Sequence, residues 1–180
     1  MVEKHVLYEV KGYVAVITLN RPKAKNAFSP EMIKLWRECL EKAKADDNVR
    51  AIVVTGKGDT FCSGGDIRDM ADGKLKSWDM KRFLWDGVHR IVLTLEDLDK
   101  PVIAAINGAA MGAGMDMAIM CDLRVCSDRA KLAESYIMMG LIPGDGGAYF
   151  LPRLTGVSKA LELLLTGDVL YFNAGQRTLA

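Results

Sequence analysis

The four cysteines, Cys39, Cys62, Cys121 and Cys126, include no C-x-x-C pair, and the chain has only two histidines, His5 and His89. That leaves no ligand cluster for a structural zinc ion. No block of one charge stands out either: 24 basic side chains meet 23 acidic ones, for a net charge of +1. The electrostatic footprint of a nucleic-acid binder is missing. No apolar run reaches the roughly 18 residues of a membrane span. The opening MVEKHVLYEV lacks the apolar heart of an export leader. The expectation is a cytoplasmic protein whose cysteines are reduced and mostly buried. Two phosphate fingerprints are also wanting. Gly108, Gly112 and Gly114 are spaced G-x-x-x-G-x-G, which is not the dinucleotide pattern, and no Gly-Lys-Ser/Thr follows.

What the chain has is 180 residues, half of them apolar. That suffices for one domain burying roughly 70% of its unfolded surface. HVLYEV and YVAVITL, rich in β-branched residues around Lys11-Gly12, predict a hairpin. Ser29-Pro30-Glu31 is a helix start with a hydroxyl cap. A stripe through Met32, Leu35, Trp36, Cys39, Leu40 and Ala43 carries that helix to about Ala45. AIVVTG reads as a strand covered on both faces. GKGDTFCSGGD reads as a loop, followed by a short helix IRDMA, and residues 72–77 as a polar connection. Residues 78–98 read as one long helix ended by Lys100-Pro101. VIAAI predicts a second buried strand, then a glycine-rich turn and a buried helix. LRVCSD and AKLA are short strand candidates, and VSKALELLLTG is a helix ending at Gly167. Strand, glycine loop and helix thus occur twice, which points to one α/β domain.

A loop of glycine and alanine lets a ligand reach main-chain N–H groups. Where a helix starts, those amides are unpaired and suit an oxygen carrying negative charge. Tight packing of helix on strand would use the same small residues. Here the motifs carry a resemblance. NRPKAKNAF, TFCSGGDI, KPVIAAINGAAMGAGMDMAIMCDLRV, IPGDGG and LTGD, in that order over residues 5–170, resemble the crotonase superfamily, the enoyl-CoA hydratases and isomerases. The resemblance implies a spiral of repeated ββα units. It implies an acyl-CoA thioester of the kind met in fatty acid metabolism, its enolate oxygen held by the amides of Gly65 and Ala113. It also places the CoA portion near Lys23, Ala24, Lys25 and Ala27, with Gly64, Asp66, Ile67 and Gly112 beside the thioester. No metal or redox cofactor is implied, since CoA is part of the substrate.

The family's hydratases use two glutamates. By motif position the first falls on Asp116 and the second on Tyr136, which is no acid. Glu134 and Asp145 are the nearby replacements. Asp116 sits among Met115, Met117, Ile119 and Met120, where an unpaired acid is costly and its pKa is expected to rise. Asp145 in a P-G-D-G-G turn also fits a plain turn residue, Glu134 an exposed one, and Tyr136 a packing one. Asp122, at the end of the buried helix, reads as structural. The methionines at 111, 115, 117, 120, 138 and 139 read as core filler or as the lining of an acyl pocket.

The expected activity is that of an acyl-CoA hydratase or isomerase. The alternatives are a carbon–carbon bond hydrolase of the same superfamily using Asp116 and Asp145, or a catalytically silent acyl-CoA binder. Residues 1–168 form the expected core. Residues 169–180 read as an atypical tail in place of the family's C-terminal helices, which build a homotrimer or hexamer. No membrane or nucleic-acid partner is expected.

Overall fold

The computed structural model describes residues 4–66 and 76–172. The expected helix at IRDMA and the side chain of Ile67 lie outside the described residues.

The hairpin forms as its sequence requires: β1 (Val6–Lys11) and β2 (Val14–Leu19) pair antiparallel with Val6 opposite Leu19. Gly12, at φ 59°, makes the turn. Alternate residues of β2, Ala15, Ile17 and Leu19, are fully buried. β2 then pairs parallel with β3 (Ala51–Gly56), β3 with β5 (Val102–Ile106) and β5 with β7 (Leu123–Cys126). In β3 and β5 only every second residue is fully buried, a correction to the expectation of strands covered equally on both faces.

A second sheet has order β4-β6-β8-β9, from Thr60–Cys62, Ala109–Met111, Lys131–Ala133 and Leu170–Tyr171. The first two of these strands lie inside stretches expected to be plain loops. They were hidden because three residues between glycines give no measurable period. β9 pairs with β8 and Phe172 is buried, so the start of the stretch 169–180 belongs to the core. Each turn of the chain therefore adds one strand to the large sheet and the next to the small one, which is the expected ββα spiral. Glycines make its corners possible. A Cβ on Gly56 would lie 2.1 Å from the Thr60 carbonyl oxygen, and one on Gly108 would lie 1.9 Å from that of Asp59.

Helix α1 (Pro30–Ala45) starts as expected, with Ser29 Oγ accepting from the Met32 N–H at 3.1 Å. It buries Met32, Ile33, Trp36, Leu40 and Ala43. The long helix spans 77–96 rather than 78–98 and is not uniform. It runs as α2 (Ser77–Arg82), a π turn at Phe83–Val88 and α3 (His89–Glu96). The π turn rotates the following residues, as such bulges do, and they are frequent at functional sites. Gly87 within it packs where a Cβ would stand 3.2 Å from Ile33. Helices α4 (Ala113–Ile119), α5 (Gly147–Thr155) and α6 (Val157–Thr166) complete the set, with a 3-10 turn at Ser135–Met139. Asp122 is structural, accepting from the Val102 N–H at 2.7 Å. Among the described residues no helix is long and apolar enough to cross a membrane.

Candidate active site

The two glycine loops converge. Gly64, at φ 81°, faces the start of α4 so closely that a Cβ there would lie 2.7 Å from the Met111 oxygen and 3.2 Å from the Ala113 nitrogen. Gly114 closes the contact from the other side, with its Cβ position 2.1 Å from the Cys62 oxygen. The first loop is held in place by the 20s segment: Phe28 N–H donates to Gly64 O at 2.7 Å, and Ser63 N–H to Lys25 O at 3.1 Å. The Asn26 side chain donates to Lys57 O and Thr60 O, which anchors that segment to the corner of the spiral.

A cavity of about 90 Å³ opens beside these loops, lined among others by Gly65, Gly112, Ala113, Tyr136 and Asp145. Among the described residues neither the Gly65 nor the Ala113 amide has a hydrogen-bond partner. That is the ordinary condition of a first-turn amide such as that of Ala113. The remaining wall is mostly apolar, with Phe28, Met80, Phe83, Leu84, Val88, Met111, Met139 and Leu141, and includes Ser63 and Ser135. Phe83, Leu84 and Val88, all in the π turn, share one wall. The methionines divide. Met111 and Met139 line the cavity, Met115 and Met117 are buried core, and Met138 is 74% exposed. Phe28 ends the NRPKAKNAF motif, whereas Met80 and Leu141 carried no sequence signal of a site, because their place on the wall is set by distant packing.

The acids group around one phenol. Tyr136 Oη lies 2.7 Å from Asp116 Oδ2 and 3.0 Å from Asp145 Oδ2. Asp116 rises from α4 and is fully buried behind the tyrosine, outside the cavity wall. Glu134 is 1% exposed, a correction to the exposed position expected of it, and its carboxyl lies beside that of Asp116 near Gly147, outside the cavity wall. Gly147 permits that contact: a Cβ there would stand 2.4 Å from Asp116 Oδ1 and 2.9 Å from Glu134 Oε1. Asp145 precedes the α5 cap residue Gly146 and is 5% exposed. His89 stands behind it, with Nε2 donating to Gly144 O at 2.8 Å and 3.9 Å from Asp145 Oδ1.

Burial raises every member of the group, because the charged form loses its water. Asp116 is pushed up to about 6 by burial and by the Asp145 charge, with the Tyr136 hydroxyl working against the rise. Glu134 is pushed up to about 9, by burial first and then by Asp116. Asp145 is raised by burial against the help of Tyr136 and His89, and Tyr136 is raised beyond the range of ordinary phenols.

The residues expected to hold CoA are more scattered. Lys23 and Lys25 are exposed, and Lys25 pairs with Asp59 at 3.0 Å. Ala24 is half-buried and Ala27 buried. None of the four lines the cavity. Asp66 pairs with Arg21 at 3.5 Å, on the flank of the first glycine loop.

A ββα spiral with two bare loops meeting at an apolar cavity, backed by buried acids, defines a crotonase-type protein. The chain belongs to the enoyl-CoA hydratase/isomerase family, whose sequence profile matches residues 9–174. It is 37% identical to the short-chain-enoyl-CoA hydratase of Clostridium acetobutylicum, covering 91% of this chain and 62% of that one. It is also 37% identical to the 1,2-epoxyphenylacetyl-CoA isomerase of Escherichia coli, covering 92% of this chain and 63% of the other. The structure superposes on a crystal structure of an enoyl-CoA hydratase from Bacillus anthracis with a TM-score of 0.88 at 31% identity, covering 93% of this chain and 64% of that one. The chain thus spans less than two thirds of the length of each of these relatives.

Proposed function

We propose that the protein isomerises an enoyl-CoA thioester through an enolate held by the Gly65 and Ala113 amides. The observation that carries this reading is that Gly65 and Ala113, whose amides have no partner among the described residues, line one cavity together with Tyr136 and Asp145. As charge develops on the thioester oxygen, each well-placed donor lowers the barrier by about 2.7–4 kcal/mol. Asp145, as carboxylate, takes a proton from the carbon next to the thioester or from the far end of the allylic system. The resulting acid returns that proton to the other carbon. Tyr136 holds Asp145 through its hydroxyl, and Asp116 holds Tyr136.

Isomerisation is favoured over hydration because one carboxyl, Asp145, borders the cavity, while Asp116 and Glu134 lie behind the phenol. Hydration in the family's manner needs two acids flanking a water. The chemistry as written uses no metal and no redox cofactor. Oligomerisation belongs to the same reading: Met138, Leu141, Ile142, Val157, Leu161 and Leu165 are exposed and apolar, which fits the homotrimer or hexamer that the family resemblance implies.

Stopped assays on a 3-enoyl-CoA, on crotonyl-CoA and on a cyclic 1,3-diketone test the proposal, with Asp145→Asn as the control. The expected outcome is conversion of the 3-enoyl to the 2-enoyl thioester, lost in Asp145→Asn. Efficient hydration of crotonyl-CoA without isomerisation overturns it. Cleavage of the diketone alone identifies the carbon–carbon hydrolase, and binding of CoA esters without turnover identifies the silent family member.

A further inference from the structure

We infer that Glu134, Asp116, Tyr136 and Asp145 form one hydrogen-bonded proton wire, with Glu134 as its inner end, that carries a single negative charge and sets whether Asp145 meets the cavity as a base or as an acid. The inference rests on the reading of Asp145 as the proton-moving group.

The wire has two hydrogen bonds of Tyr136, with Asp145 and with Asp116, and a third contact inferred from the Asp116 and Glu134 carboxyls, which both crowd the space beside Gly147. Each contact needs one proton, and each of the four groups has at most one to donate. The tyrosine brings its own. Two of the three carboxyls must therefore be protonated, and the group that donates nothing carries the charge. Outside donors do not relieve this count. Both Glu134 oxygens and Asp145 Oδ1 are buried without an N–H or O–H partner among the described residues. His89 of α3 donates through Nε2 to Gly144 O and stands 3.9 Å from Asp145 Oδ1. From α5 only the Gly147 amide approaches Asp116, as a minor support. The groups facing the wire are thus His89 and that amide, with no lysine or arginine pairing to it among the described residues.

Of the arrangements that satisfy all three contacts, two place the charge on an end of the wire; a third, with the charge on Asp116, has Glu134 and Tyr136 donating to it and Asp145 donating to Tyr136. With the charge on Asp145, Glu134 donates to Asp116, Asp116 to Tyr136, and Tyr136 to Asp145. With the charge on Glu134, every donation reverses. Passing from the first to the second moves three protons by one contact each, for a net transfer of one proton from Glu134 to Asp145. Asp145 is a base in the first arrangement and an acid in the second. Glu134 never touches substrate in this scheme; it is a positioning residue that sets the state of Asp145 through Asp116 and Tyr136. Gly147 is required for the inner contact, since a side chain there would enter the space between the two carboxyls.

Infrared spectroscopy of the free protein, in water and in heavy water, reads the protonated-carboxyl stretch directly and needs no substrate. The wild-type protein at neutral pH is expected to show the band of buried carboxylic acids. Glu134→Gln keeps a donor toward Asp116 and so keeps the contact, and its band is expected to fall to about half, from two acids to one. Its pH–rate profile is expected to simplify from two apparent ionisations to one. Absence of the band in the wild type overturns the wire, as does an unchanged band or an unchanged pH profile in a Glu134→Gln protein that melts cooperatively. Gly147→Ala, which alters no titrating group, is expected to change the band as well; an unaltered band there overturns the inner contact. Because the infrared readout involves no turnover, failure of the isomerase reading and failure of the wire are distinguishable.

Discussion

Replacing Gly64 by alanine puts the proposed oxyanion site under direct test. Gly64 has φ 81°, so any L side chain there is strained, at a cost of roughly 1–2 kcal/mol. The new Cβ would also stand 2.7 Å from the Met111 oxygen and 3.2 Å from the Ala113 nitrogen. Both of those atoms are main chain, held by β6 and by the first turn of α4, so they cannot swing aside as a side-chain tip would. The two loops must separate, and the Gly65 and Ala113 amides lose their common focus. A misplacement of about 1 Å in a reacting geometry costs on the order of 100-fold. Complete loss of one of the two donors costs about 100- to 1,000-fold in kcat. Gly64→Ala should therefore lose about 100- to 1,000-fold in kcat with a smaller change in KM, since the apolar wall that holds the acyl chain is untouched. The assay is steady-state isomerisation of a 3-enoyl-CoA, beside a thermal melt to show that the fold persists. A folded Gly64→Ala protein with kcat within about twofold of wild type would refute the two-amide argument.

Tyr136→Phe keeps the ring near Gly112 but removes the one hydroxyl between Asp145 and Asp116; kcat should fall by about 100-fold or more, read in the same assay, and stability by about 1–3 kcal/mol because two buried carboxyls lose their partner. Stability should depend on pH through Glu134. Its folded pKa, about 9, lies above the ordinary 4.5, so the folded chain holds a proton that the unfolded chain has lost between those values. Stability from this group is therefore full below pH 4.5 and declines as pH rises toward 9, by at most about 1.4 kcal/mol per pH unit. Urea titrations from pH 5 to 8 should show that decline in the wild type and a flatter curve in Glu134→Gln. Asn107→Ala should cost about 1–3 kcal/mol in the same titrations, because Asn107 accepts from Gly56 N–H at 3.1 Å and donates to Gly58 O at 2.9 Å across the corner of the spiral.

Much of the scaffold was legible in the chain because it rests on local chemistry. The Ser29 cap, the Gly12 turn and the alternation of β2 each depend on residues a few positions apart, and each formed where it was expected. The motif order pointed to the family for the same reason. The sequence by itself also determined that Gly64, Gly112 and Gly114 bring no side chain, which is what lets the two loops pack main chain against main chain. Tertiary structure alone decided which acids meet. Asp116 and Tyr136 are twenty residues apart, and it is the spiral's return that sets Tyr136 between Asp116 and Asp145 and leaves Glu134 behind them. Burial of Glu134 likewise depends on the absence of a Cβ at Gly147, thirteen positions further on. The strands β4 and β6 exist for a similar reason: three residues have no pattern of their own and become a sheet only when successive turns of the spiral lay them side by side.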